Sequence, residues 1–136
     1  RALPNVHFVG VKPYSELPSW LAYCDVALLP LRNNSYTRHM FPMKFFEYLA
    51  SGRPVVATAI PSLRPHATAA ILCEPEATSF EAAIAKALSG GGPLLTERLA
   101  VAAVNTYEVR TAAMLSVLAE LGILPESRAS GFSHCG

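Results

Sequence analysis

The sequence has almost no excess of charge of either sign. Eleven Lys and Arg residues face ten Asp and Glu residues, a net charge of +1 in 136 residues. No field of one sign steers such a surface, so nucleic acid is excluded as a partner. Long apolar runs are missing too. Val26–Leu31 and Val55–Ala57 are typical of the runs present, far short of the about 20 residues that span a bilayer. Cysteine is scarce: Cys24, Cys73 and Cys135 are odd in number and widely spaced. They supply neither a disulfide framework nor a Cys/His ligand cluster, so no metal site is expected. Cys24 and Cys73 stand at apolar positions and read as reduced core thiols, which points to a cytoplasmic setting. No secretory signal opens the chain. Its first residue is Arg1, not methionine, so it reads as an excised domain. A glycine-rich phosphate loop, internal repeats and low-complexity tracts are likewise lacking.

What is present is apolar bulk. Apolar residues make up 51% of the chain and charged residues 15%, a globular balance. A chain of this length suits one domain that hides roughly 70% of its unfolded surface. Continuous apolar runs predict strands at Val6–Val9, Asp25–Leu29, Pro54–Thr58 and Ala70–Cys73. Helical spacing predicts a helix from Ser15 through Cys24, with Ser15 as its cap and Leu17, Trp20 and Leu21 on its inner face. Leu31–Phe41 is polar and reads as irregular. A helix is expected from Pro42 to Ser51, stopped by Gly52. Trp20, Phe45 and Phe46 read as core.

Downstream, Thr78 with Glu81 has the pattern of a capping box, ahead of a helix that buries Phe80, Ala83, Ile84, Ala87 and Leu88. Ser89–Pro93, with its glycines, breaks the chain, and Thr96 opens another helix. A last helix runs from about Thr106 to Leu121, with an apolar stripe of Val109, Met114, Leu115, Leu118 and Leu121. The domain is expected over residues 1–124, and residues 125–136 as a frayed tail. Strands without period-2 alternation, separated by helices, imply a doubly wound α/β fold with a parallel sheet. Such folds bind ligands at the carboxyl ends of their strands. The candidate loops are therefore Gly10–Tyr14, Leu31–Phe41 and Ala59–His66.

The chemically informative stretch runs from Phe41 to Thr58. Lys44 and Glu47, three residues apart, share a helix face. A helix start offers free N–H groups and about half a positive charge, which suit a phosphate. Lys44 adds a cation beside it. Glu47, with two acceptor oxygens, suits the vicinal diol of a ribose. Spacing alone is equally met by a solvated Lys44–Glu47 pair worth a few tenths of a kcal/mol, or by a carboxylate that offsets the helix dipole.

The run Pro42-Met43-Lys44, Glu47-Tyr48-Leu49-Ala50, Gly52 and Pro54-Val55-Val56-Ala57-Thr58 resembles the donor-site motif of group-1, family-4-type glycosyltransferases. Asn5–Gly10, Tyr14 with Leu17-Pro18, Cys24–Pro30 and Thr106-Tyr107-Glu108 resemble the same family in the same order, so the likeness covers about residues 3–121. The resemblance implies a Rossmann-like domain, the C-terminal half of a GT-B fold, that binds a nucleotide-sugar donor. It implies Glu47 on the donor ribose and Pro42, Met43 and Lys44 along the diphosphate, with Lys44 catalytic through charge on the leaving group. It places Val11–Tyr14 near the base. Arg38 is a candidate phosphate contact, and His39 one for a phosphate or sugar hydroxyl. Many members carry a second glutamate eight residues before the ribose one, where this chain has His39. Retention or inversion at the sugar is therefore left open. The partners implied are a nucleotide sugar, an acceptor domain absent from this chain, and an acceptor that could be lipid-linked or a polysaccharide. Attachment at the inner membrane face is left open. No cofactor or metal is implied. The alternatives are a nucleotide-sugar epimerase or other GT-B relative, a non-catalytic nucleotide-binding domain, and an unrelated flavodoxin-like or response-regulator-like domain. The last would need an acidic residue at a strand end, whereas Asp25 begins its strand.

Overall fold

Val55-Val56-Ala57-Thr58 sits at the middle of the molecule, and all four residues are buried. The computed structural model describes residues 3–123. Its sheet has three strands in the order β1 (Ala27–Leu29), β2 (Val55–Thr58), β3 (Ile71–Cys73). Both pairings are parallel, with Leu28 opposite Val56 and Ala57 opposite Leu72. A continuous apolar run fits a strand covered on both faces, and β2 is covered in that way. Val55 and Ala57 point to one side, against Phe45, Phe46 and Leu49 of α3 (Lys44–Ala50). Val56 points to the other, against Ala83 and Ala87 of α4 (Ala77–Leu88). The fold is thus the doubly wound, Rossmann-like α/β arrangement expected.

The remaining helices are α1 (Leu17–Tyr23), α2 (Ser35–His39), α5 (Leu95–Ala103) and α6 (Tyr107–Glu120). Because β1 and β2 are parallel, the chain leaves β1 at the carboxyl pole of the sheet, and α3 begins at that pole and returns. Side chains tie the polar connection down there. The Thr58 hydroxyl accepts from the Leu31 N–H at 2.9 Å and donates to the Leu31 carbonyl at 2.8 Å. Ser62 Oγ donates to the Met40 carbonyl at 2.7 Å.

Several expectations are corrected. Val6–Val9 forms no strand among the described residues, and Phe8 is exposed. A parallel strand exists only by its neighbour's hydrogen bonds, and none is offered to it here. Ser15 caps nothing; it lies in a 3-10 turn, Tyr14–Glu16, that runs into α1. Trp20 is not core. It is 42% exposed, with Lys12 Nζ 4.8 Å from its ring centroid. Cys24 is exposed as well, while Cys73 is half-buried; both are free thiols.

The Leu31–Phe41 segment is less irregular than expected. Asn34 Oδ1 accepts from the Thr37 N–H at 3.0 Å and Thr37 Oγ1 accepts from the Asn34 N–H at 3.0 Å, a reciprocal cap that starts α2. Conversely, Thr78 does not cap. Helix α4 starts at Ala77 after an extended Glu76, so Thr78 falls inside its first turn. Leu88, at the rim of the α4 stripe and in its last turn, is exposed. The stripe of α6 is not core either: no α6 residue is fully buried, and of the stripe only Leu115 and Leu118 are half-buried. The expected tail, with Cys135, lies outside the described residues.

Candidate functional site

The site is built on α3, and α3 is held from both ends. At its C-terminal end Gly52 adopts φ +74, a left-handed conformation that costs an L side chain about 1–2 kcal/mol and glycine little. A Cβ there would also meet Leu95 Cδ1 of α5 at 3.0 Å. From α5, Arg98, only 9% exposed, donates Nε and Nη2 to the Gly52 carbonyl at 3.2 and 2.8 Å. At the other end Phe41 stacks on Phe46, with centroids 5.0 Å apart and planes 16° apart. His66 packs edge-on against Phe41 and Phe46, at 5.7 and 5.3 Å. Burial first, and then the Arg110 charge, pushes the His66 pKa below its ordinary 6.5.

The start of α3 exposes less backbone than an open helix end. The Phe45 and Phe46 N–H groups already donate to the carbonyls of Pro42 and Met43, each at 3.0 Å. Only Met43 and Lys44 keep amides without a backbone acceptor among the described residues. Pro42 itself is buried and shapes the turn. The Lys44 side chain is 63% exposed, and its Nζ lies 3.8 Å from Glu47 Oε2. Glu47 is 30% exposed, too open for the pair to add much stability.

Two clefts flank this face of α3, and α6 forms the far wall of both. The larger, about 520 Å³, lies between Met43 and a wall of Asn105, Tyr107, Arg110 and Met114. The narrower, about 160 Å³, holds Met43, Glu47 and Ala50 on one side and Thr106, Tyr107 and Glu108 on the other. Glu108, at the α6 start, has its carboxyl pKa lowered by its own backbone N–H and then by the Thr106 hydroxyl. A separate groove of about 310 Å³ opens at the carboxyl ends of the strands, between Leu31, Arg32, Thr58, Glu76 and Phe80.

The structure therefore sets Met43 and Glu47 on the cleft walls, with Pro42 buried at the start of α3 and Lys44 exposed one turn from Glu47 but lining neither cleft. Arg38 and His39 end α2 and are exposed. The Ser35 carbonyl lies 3.0 Å from His39 Nδ1, so Nδ1 is the donor of that hydrogen bond and Nε2 has no partner among the described residues. Val11 and Tyr14 stand apart. Both are exposed, Val11 completely, and neither lines the clefts beside α3. The α6 wall went unnoticed in the sequence. Thr106-Tyr107-Glu108 marked the helix, but one more turn of reading, to Arg110, would have shown a cation beside the aromatic one.

Comparison with known proteins decides what this domain is. Residues 1–90 match the family described as glycosyl transferases group 1. The chain belongs to that family. It is similar to a protein of Bacillus subtilis (strain 168) named "Putative teichuronic acid biosynthesis glycosyltransferase TuaH", with 40% identity over 60 residues. Those residues are 44% of this chain and 15% of that protein. No solved structure gives a significant match. Within this glycosyltransferase-family domain, α3 and the Lys44–Glu47 face fall inside the matched residues, whereas α5 and α6 fall beyond them.

Proposed function

We propose that this domain binds a nucleoside-diphosphate sugar and supplies the donor side of a glycosyl transfer, with Glu47 on the ribose and Lys44 on the diphosphate. One observation carries the reading: Glu47 lines a cleft one turn from Lys44 on a helix inside the family-matched residues. A half-exposed carboxylate with no hydrogen bond of its own among the described residues keeps its acceptor sites available for a diol. Its neighbour Lys44 pairs with it only loosely.

In this proposal the bond between the anomeric carbon and the diphosphate breaks, and negative charge grows on the departing phosphate. Lys44 stabilises that charge, helped by the Met43 and Lys44 amides, which is an electrostatic contribution that matters more as charge develops. Pro42 and Met43 shape the diphosphate subsite, and His39 offers Nε2 as an acceptor to a sugar hydroxyl, whereas a phosphate oxygen would need the doubly protonated ring. Arg38, on the same short helix, is a further phosphate contact. Val11 and Tyr14 are the weakest part of the proposal, since a base contact needs the loop at Gly10–Tyr14 to approach α3. The C-terminal half of a GT-B fold is the matching role. A second domain then holds the acceptor, a lipid-linked saccharide or a polysaccharide, across the cleft. Among the described residues no helix is long and apolar enough to cross a membrane.

Calorimetry of the chain with uridine, guanosine and adenosine diphosphates tests this. One of them should bind, and Glu47→Gln should weaken it by about 1–3 kcal/mol, the cost of losing a charged hydrogen-bond partner. Lys44→Ala should weaken the diphosphate far more than the bare nucleoside. Unchanged affinity in Glu47→Gln removes the ribose assignment, and equal losses in Lys44→Ala remove the phosphate one.

A further inference from the structure

Arg110 sits one turn into α6, and its guanidinium carbon lies 5.2 Å from the Phe41 ring centroid and 5.9 Å from that of Phe46. The two rings are stacked on each other, so the cation rests over a prepared aromatic base. Phe41 precedes α3 and Phe46 is buried in it. The cation is thereby fixed to the same structure that presents Met43 and Lys44. Arg110 and Met43 line the same cleft of about 520 Å³.

Among the described residues no carboxylate lies within ion-pair distance of Arg110, and no acceptor meets its side-chain N–H groups. A guanidinium over aromatic rings gives up water on one face but keeps its fork of donors, which matches two oxygens of one anion. Its field also reaches His66, whose protonation it opposes.

We propose that Arg110 is a second cationic contact for the donor diphosphate, reaching it from α6 across the cleft from Met43. The inference rests on the donor-site reading above, and adds to it a residue outside the family-matched segment. It also assigns α6 a role: the helix faces the ligand with a charge.

The test compares Arg110→Met and Arg110→Lys with the unaltered chain by calorimetry. The probes are the nucleoside diphosphate that the unaltered chain binds, the matching nucleoside, and inorganic diphosphate. Arg110→Met should weaken both diphosphate probes at least about tenfold, the loss of one charged hydrogen bond, and the nucleoside less than about twofold. Arg110→Lys should fall between, because a point charge cannot grip two oxygens. Thermal unfolding of each variant guards against misfolding. If Arg110→Met lowers the melting temperature and weakens all probes equally, Arg110 merely docks α6 and the proposal is overturned. Unchanged diphosphate binding in Arg110→Met, with Glu47→Gln still impaired, overturns the Arg110 assignment alone. No diphosphate binding by the unaltered chain overturns both readings.

Discussion

Replacing Arg98 with methionine probes what keeps α3 in place. The methionine preserves most of the aliphatic stem, so the change isolates the guanidinium. That group donates twice to the Gly52 carbonyl and once, through Nη1, to the Pro93 carbonyl. Hydrogen bonds from a charged donor contribute about 1.5–3 kcal/mol each, and a carbonyl left unpaired costs about 1–3 kcal/mol. The contributions do not add, because two of the donors share one acceptor. Burial of the cation also carries its own cost: it pushes the Arg98 pKa down from its ordinary value, with Glu97 raising it in part. A net loss of about 3 kcal/mol follows from these ranges. With a urea slope of about 1.5–2 kcal/mol/M for a chain of this size, the unfolding midpoint should fall by about 1.5–2 M. Leu99→Ala, one residue along α5 at an exposed position, should move the midpoint little and serves as the control. A shift in Arg98→Met no larger than the control, with native circular dichroism, would show that Gly52 and Pro93 do not depend on this side chain.

Two further predictions concern the same frame. Gly52→Ala forces a left-handed residue against Leu95 Cδ1, and should cost about 1–2 kcal/mol in urea unfolding; a gain in stability would mean that the backbone there relaxes freely. His66 is held below its ordinary pKa of 6.5, so the unfolded chain binds the proton more readily than the folded one. Its contribution is neutral above about pH 6.5, and stability falls as the pH drops below that value. His66→Gln should flatten the pH dependence of the melting temperature between pH 7 and 5, and an unaltered slope would assign that dependence to other groups.

The middle of the chain was the most legible part. Pro54–Thr58 reads as a buried strand because it is apolar on both faces, and helices α3 and α4 cover the two faces. Gly52 reads as a helix stop because its left-handed conformation excludes other residues. The ends were harder for a definite reason. An apolar pattern shows that a face prefers to be covered, not that the chain itself supplies the cover. Val6–Val9, Trp20 and the α6 stripe all carry such patterns, and the described residues cover them only in part or not at all. The α2 cap was missed because Asn34 and Thr37 lie in a segment whose composition reads as loop. For the site, the local pair Lys44 and Glu47 was visible in the spacing of one helix. Arg98 and Arg110 were not, since each acts across tens of residues of sequence on a backbone or ring that only the fold brings near.

The division of labour on α3 follows from its helical period. Phe45, Phe46 and Leu49 form the stripe that enters the core, and fully burying each contributes roughly 1.5–3 kcal/mol. Met43, Glu47 and Ala50 follow at i, i+4 and i+7, and that second stripe is the one that lines the narrow cleft. The first stripe fixes the second, because a helix packed on β2 and anchored through Gly52 cannot turn about its axis without exposing two phenylalanines. One cleft wall is therefore rigid. The opposite wall, α6, buries no residue and meets α3 through Arg110 over the rings and through the residues around Thr106. A wall held so lightly can adjust its distance at small cost. A diphosphate that engages Lys44 from one side and Arg110 from the other would supply the missing link between the walls, so that binding the donor and seating α6 become one event.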